Sequence, residues 1–316
     1  MNNRATRPVV DAAQPALDLA LERMREGTFQ AIDQGYYDLE LSLWEIRSEV
    51  GAARFRAALS ELRTHPLFAL LQSDPFIRHS YSRPRGYPGD AELLDFIYGE
   101  GRSAEKVSAA SAWGQVSYQS MRNCIACRAV RYRADRIGEI VQRGIREVDG
   151  FRVFSLAAGH LCELRGVRWH RLPGLVVAGD QDPRSVAEIG RRYRPEHVEP
   201  RVVSVKDAIE GRLEDRGFHF AYAAGLYDYL PEKVASILSR RMLDMLAPGG
   251  SLLLANFVPE CTGAAFMEFA MDWQLEYRDE SDLERIIAQS TRPGEVEVEL
   301  SRDPSGQIAF ASLTRC

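Results

Sequence analysis

The sequence predicts an α/β protein: a doubly wound, mostly parallel sheet of seven strands behind an N-terminal helical domain. Three observations carry this. Up to about residue 115, apolar residues return every third or fourth position; after Gly150, short apolar runs alternate with helical segments; and the last two runs bracket a turn sequence. A chain of 316 residues, 45% hydrophobic and 27% charged, has material for a core domain and an appendage.

In the first domain, Leu17, Leu21 and Met24, then Leu39, Leu43 and Ile46, then Phe55, Leu59 and Leu62 trace the apolar stripes of amphipathic helices. Gly35, Gly51 and the His65-Pro66 step break them, because glycine weakens and proline interrupts helical hydrogen bonding. A stretch dense in Pro, Gly and Arg runs from Ser73 to Ser103, and a long helical pattern follows from Trp113 to Val148. The domains are placed at 1–115 and 116–316.

In the second domain FRVFSLAAG, GLVVAGDQDP, PRVVSVKDA, FHFAYAAGLYDYL and GGSLLLANF each supply a strand, with helices at Val186–Tyr193 and Glu232–Leu246 between them. Such alternation argues for parallel βαβ units covered on both faces. EVEVELS and QIAFASLT bracket Asp303-Pro304-Ser305-Gly306, which predicts an antiparallel hairpin at the sheet edge.

Forty Lys and Arg against 45 Asp and Glu give a net charge of -5, too little positive charge for a nucleic-acid partner. No run approaches the ~20 apolar residues of a membrane span. The first residues lack the apolar centre of a secretion signal, so a cytoplasmic protein without a membrane partner is expected. The five cysteines suggest no disulfide framework. Cys124 and Cys127 form a C-x-x-C without the second pair a zinc site would want, and read as helix packing rather than metal or redox chemistry. No metal is expected, and a homodimer through the helical domain stays open.

In an open parallel sheet, ligands sit at the carboxyl ends of the strands. The first strand leads into Ser155-Leu156-Ala157-Ala158-Gly159-His160, whose small residues let backbone approach a ligand. The second ends Gly179-Asp180-Gln181-Asp182-Pro183, where an acid can accept from ribose hydroxyls, although Asp182 before Pro183 favours a helix N-cap. The third is read to end at Val205-Lys206-Asp207, its acid facing an adenine amino group or lying in a surface turn.

SLAAGHLCE, GDQDP, FAYAAGLYDYL and LAPGGSLLLANF, in that order, resemble the landmarks of the class I S-adenosylmethionine-dependent methyltransferases over residues 130–316. The resemblance implies their Rossmann-like fold and S-adenosylmethionine as cofactor. RGYPGD with LLDFIY, AAGLYDYL and NFVPE followed by FMEFAMDWQLEYRDESDL resembles a narrower bacterial and fungal group that forms methyl esters of 3-hydroxy fatty acids and small dicarboxylic acids. It implies a small-molecule substrate, most simply a carboxylate. The alternatives are a hydroxyl or nitrogen acceptor in a secondary metabolite, and a cofactor-binding protein without turnover. The last is motivated by Ala157 and Ala158 standing where glycine and a small residue are expected, and by His219 replacing an acid before the fourth strand's apolar run.

On this resemblance Ala157, Ala158 and Gly159 approach the methionine part of the cofactor, Asp180 and Gln181 the ribose, and Asp207 the adenine. Gly225 lies where the methyl group would point, and Tyr87 and Asp90 of the GYPGD loop close over the cofactor or form a structural turn. Glu163, on the helix expected after the first strand, takes the ammonium or, more simply, faces solvent; one of Arg128, Arg131 and Arg133 reaches the carboxylate or all form a solvated face.

For the transfer itself the candidates are Tyr227, Asp228 and Tyr229, with one aromatic packed inward, and His79 as base for a hydroxyl acceptor. Arg278, Arg83 or Arg85 would clamp a substrate carboxylate. Met267, Met271, Trp273 and Tyr277 form a lid or a core stripe, and His160 only shapes its turn.

Overall fold

Helix caps and the sheet's apolar runs set the architecture. The computed structural model describes residues 3–169 and 175–316, so Gly174, where the second strand was expected to start, lies outside the described residues. The chain divides into two units, Met1–Arg128 with Cys261–Gln274, and Ala129–Glu260 with Leu275–Cys316. The division thus falls at Arg128 rather than near residue 115, and a segment from late in the chain joins the first unit.

The first unit holds α1 (Asn3–Met24), α2 (Phe29–Val50), α3 (Ala52–Leu62), α4 (Pro66–Leu71), α5 (Pro75–Ser82), α6 (Ala91–Tyr98), α7 (Ser103–Ser108), α8 (Ala112–Met121) and the start of α9 (Ile125–Glu147). Leu17, Leu21, Met24, Leu39, Leu43, Phe55, Leu59 and Leu62 are buried, as their spacing requires. Each fully buried Leu or Phe contributes about 1.5–3 kcal/mol. The expected helix from Trp113 to Val148 is two helices, because Arg122, Asn123 and Cys124 turn the chain between α8 and α9.

The second unit holds the rest of α9, then β1 (Arg152–Leu156), β2 (Leu175–Asp180), α10 (Pro183–Arg192), β3 (Val198–Val202), α11 (Val205–Ile209), β4 (Phe218–Tyr222), α12 (Glu232–Asp244) and β5 (Leu246–Phe257). The chain then lends α13 (Ala264–Ala270) to the first unit and returns with α14 (Glu280–Ser290), β6 (Val296–Arg302) and β7 (Ile308–Arg315).

The sheet order is β3-β2-β1-β4-β5-β7-β6, parallel from β3 to β5 and antiparallel at β5-β7 and β7-β6, so the sheet is mixed. The hairpin turn is closed by Asp303, whose Oδ1 accepts from Gln307 and Ile308 N–H at 2.7 Å each. One face packs Phe154, Leu156, Ala221, Leu252 and Leu254 against Leu238 and Met242 of α12 and Leu283 and Ile286 of α14.

Three expectations are corrected here. β3 ends at Val202, and Ser204 and Asp207 form a reciprocal capping box that starts α11, so a helix begins where the strand was read to end. After β1 the described residues form a 3₁₀ turn, Cys162–Leu164, instead of a helix. β5 already pairs at Leu246, and the Ala247–Gly250 turn is an irregularity inside the strand. Asp182 does cap α10, its Oδ1 accepting Arg184 N–H at 2.9 Å.

In the first unit, α13 is buried at every residue. Glu268 receives Arg47 at 3.1 and 3.0 Å and Arg56 at 2.9 and 2.7 Å, while Arg63 donates to the Glu268 and Phe269 carbonyls and to Asp272 Oδ1. Met267, Met271 and Trp273 are accordingly core. Among the described residues no helix is long and apolar enough to cross a membrane.

Candidate functional site

The strand order reverses between β1 and β4, which opens a crevice at their carboxyl ends. The turn leaving β1 alternates in hand: Ala157, Gly159 and Leu161 have φ of 54°, 56° and 54°. The left-handed region costs a non-glycine residue free energy, so the neighbours must hold it. They do so from β2 and α10. Ala158 N–H donates to the Gly179 carbonyl at 3.1 Å, Gly159 N–H to Asp180 Oδ2 at 2.8 Å, and Tyr193 hydroxyl to the Leu161 carbonyl at 2.6 Å. Asp180 Oδ1 accepts Asp182 N–H at 2.8 Å. Burial pushes the Asp180 carboxyl up, and the Asp182 and Gly159 amides draw it back. Each oxygen keeps a second acceptor position.

Side chains alternate along a strand, so the residues between the core positions face the other way. Ser155 of β1 and Tyr222 of β4 are register partners, both buried and close enough to influence each other, and among the described residues neither hydroxyl completes a hydrogen bond. The Tyr222 hydroxyl stands close to the Glu163 carboxyl. Burial raises the Glu163 carboxyl, while Tyr222, Arg133 and Arg165 draw it down. The 3₁₀ turn carrying Glu163 sits tight against α9: a Cβ on Gly138 would lie 2.7 Å from the Glu163 carbonyl.

Arg133 of α9 completes the cluster. It is 4% exposed, its Nε is buried without a hydrogen-bond partner among the described residues, and its Nη1 lies 4.0 Å from Asp228 Oδ2. A Cβ on Gly225 would lie 3.6 Å from Arg133 Nη2. Asp228 Oδ1 accepts Phe257 N–H at 2.8 Å; burial raises its carboxyl to about 6 against the pull of Arg133 and Arg278. A guanidinium, two carboxyls and two hydroxyls thus meet near the ends of β1 and β4, and among the described residues the Arg133 Nε and the two hydroxyls complete no hydrogen bond. Among the described residues no group of three or more His, Cys, Asp or Glu could hold a metal ion.

The structure therefore gathers Ala157, Ala158, Gly159, Asp180, Gly225 and Asp228 along the ends of β1, β2 and β4. Several expected residues serve otherwise. Tyr227 is fully buried with its hydroxyl 2.9 Å from Ser239 Oγ, which makes it the inward aromatic; Tyr229 is half-buried. Arg278 donates to the Tyr227 carbonyl at 2.8 Å, to Asn256 Oδ1 at 2.9 Å and to the Leu230 carbonyl, so its fork is engaged by two backbone carbonyls and an asparagine side chain.

Asp207 spends its carboxylate on Ser204 and Arg212, and the Gln181 side chain is exposed. In the first unit Asp90 caps α6 and accepts from His79 Nε2 at 2.9 and 3.0 Å, so it anchors a helix; Tyr87 is half-buried beside it in sequence. Arg83 pairs with Asp272 and Arg85 with Glu92.

Sequence reasoning singled out neither Ser155 nor Tyr222, kept Glu163 between an ammonium contact and solvent, and kept Arg133 between a cofactor contact and a solvated face. A signal existed for Arg133. It stands three residues after Val130 and four before Ile137, both buried, and so lies on the apolar stripe of α9. Ser155 and Tyr222 likewise interrupt apolar strand runs.

No family model and no curated protein matches the chain. Among solved structures it is similar to a possible exported protein from Bordetella parapertussis, 17% identical, covering 100% of this chain and 99% of that one with a TM-score of 0.57. It is also similar to magnesium protoporphyrin IX methyltransferase from Synechocystis PCC 6803 with bound SAH, 12% identical, covering 77% of this chain and 100% of that one with a TM-score of 0.50. At these identities the likeness is one of fold.

Proposed function

We propose that the protein is an S-adenosylmethionine-dependent methyltransferase of a small molecule, forming a methyl ester on a carboxylate. The observation that carries the reading is the group of polar side chains near the ends of β1 and β4, where Arg133 Nε and the Ser155 and Tyr222 hydroxyls are buried without completing a hydrogen bond among the described residues. An amino-acid zwitterion needs a cation for its carboxylate and acids for its ammonium. Arg133, with a buried Nε lacking a partner, suits the first, and Glu163 and Asp228 suit the second. Asp180, at the end of β2, retains acceptor capacity for ribose hydroxyls.

When bound, this cofactor supplies an electrophilic methyl group on a sulfonium. The chain's own residues orient its amino-acid end, hold the turn at Ala157–Leu161 against it, and exclude water from the crevice. A carboxylate acceptor is ionised at neutral pH and needs no base. That agrees with the commitments of His79, whose Nε2 is held by Asp90 and whose Nδ1 lies 3.3 Å from Lys106 Nζ.

A second reading has one specific support. The Asp228 carboxyl, raised to about 6, would suit a base for a hydroxyl acceptor. The reading also takes in a cytoplasmic setting and neither nucleic acid nor membrane as partner. Methyl-labelled cofactor, a panel of carboxylic acids and a pH–rate profile test it. A carboxylate acceptor yields base-labile label and a rate that stays level from about pH 6 to pH 9. A rate that climbs through about pH 6 with base-stable product transfers the reading to hydroxyl methylation.

A further inference from the structure

We propose that Cys124 and Cys127 form a redox-active dithiol that closes to a disulfide by exchange with a small-molecule disulfide. The Cys124 carbonyl accepts Arg128 N–H at 3.0 Å, so Cys124 is the N-cap of α9 and Cys127 its N3 residue. The Cys127 N–H in turn points at Cys124 Sγ, 3.5 Å away. A cap bond of this kind swings the first side chain over the third residue, bringing the two sulfurs to one side of the first turn. Residues three apart on a helix are neighbours with ~5–6 Å between Cβ atoms, so closing the bond requires Cys124, as the cap, to bring its Cβ in toward the ~3.5–4.5 Å of a disulfide.

The two thiols are unequal in access. Cys124 is partly exposed and Cys127 is 4% exposed, which gives an attacking thiol at the surface and a resolving thiol beneath it. Two influences set the reactivity of Cys124. The N-terminus of a 23-residue helix favours its thiolate. Glu40 and Tyr36 of α2 interact with it electrostatically, and burial together with that interaction raises the Glu40 carboxyl well above its usual range.

In the reaction, Cys124 thiolate attacks glutathione disulfide and expels one glutathione thiolate. Cys127, losing its proton, then displaces the second glutathione, so one disulfide and two protein thiols become one protein disulfide and two glutathiones.

The test uses the full chain with Cys316→Ser, equilibrated with glutathione disulfide, quenched with iodoacetamide under denaturing conditions and cut with trypsin. Cleavage after Arg122 and Arg128 leaves both cysteines on one peptide, NCIACR. The expected result is that peptide lighter by two hydrogens and free of alkylation, reverting on dithiothreitol. Cys127→Ser should trap one glutathione on Cys124, and Cys124→Ser should leave Cys127 without glutathione. Recovery of NCIACR with both cysteines alkylated, or with glutathione retained on the unsubstituted pair, would overturn the proposal.

Discussion

Gly159 donates its backbone N–H to the Asp180 carboxylate at 2.8 Å, tying the turn after β1 to the end of β2. This one bond explains how a turn with few glycines keeps its shape. Ala157 adopts φ of 54°, a conformation its methyl group disfavours, because Ala158 and Gly159 on its far side are fastened to Gly179 and Asp180.

Ala157→Gly should therefore relieve strain without changing the turn. The expected gain is about 1 kcal/mol, read as a higher midpoint of thermal unfolding. A lower midpoint would show that the alanine methyl packs favourably enough to outweigh its backbone cost.

Stability should decline as pH rises from 4 to 8. The Asp74 carboxyl is raised to about 7 and the Asp228 carboxyl to about 6, mainly by burial. Both folded values exceed the unfolded value near 4. The protonated forms thus favour the fold, and that contribution is full below about pH 4 and lost as pH climbs through 6 and 7. Asp74 N-caps α5 through Phe76 N–H and accepts from Ser117 Oγ at 2.7 Å, roles that asparagine can share. Asp74→Asn should flatten the slope of unfolding midpoint against pH between 5 and 8; an unchanged slope would remove Asp74 from the account.

Arg278 is assigned to holding the turn at Tyr227–Leu230 against β5. Arg278→Lys keeps the charge but cannot reach all three acceptors. The expected loss is about 2–4 kcal/mol, with orphaned buried carbonyls as its source, measured by denaturant unfolding. A variant of full stability that loses only its turnover would return Arg278 to the substrate.

Much of this was legible in the sequence where one period dominated. The stripe Leu17, Leu21, Met24 gave α1 its buried face, and the runs FRVFSL, FHFAY and QIAFASLT gave β1, β4 and β7. The Asp182-Pro183 step marked the start of α10 by its cap chemistry. The rest depended on contacts far apart in sequence. Arg278 looked like a clamp because its three acceptors come from a distant turn and strand. Ser155 and Tyr222 are brought side by side only through the strand register. Glu268 could not be read as an anchor, since Arg47 and Arg56 lie more than two hundred residues earlier.

Glu268→Gln should loosen the first unit. Its carboxylate is fully buried between two guanidinium groups, and removing one charge of such a cluster costs about 3–5 kcal/mol. Protease resistance of the segment Cys261–Gln274 would report it; unchanged cleavage would show that Arg63 and the apolar face of α13 hold the segment without Glu268.

The measurement that tests the central claim most directly is calorimetric titration of S-adenosylmethionine and S-adenosylhomocysteine into the protein and into folded Arg133→Ala and Asp180→Ala variants. The account predicts micromolar binding to the unsubstituted chain and a loss of at least about thirtyfold in Arg133→Ala, the scale of one buried charge-assisted contact. No heat from the folded protein with either ligand, or equal affinity in Arg133→Ala, would contradict it.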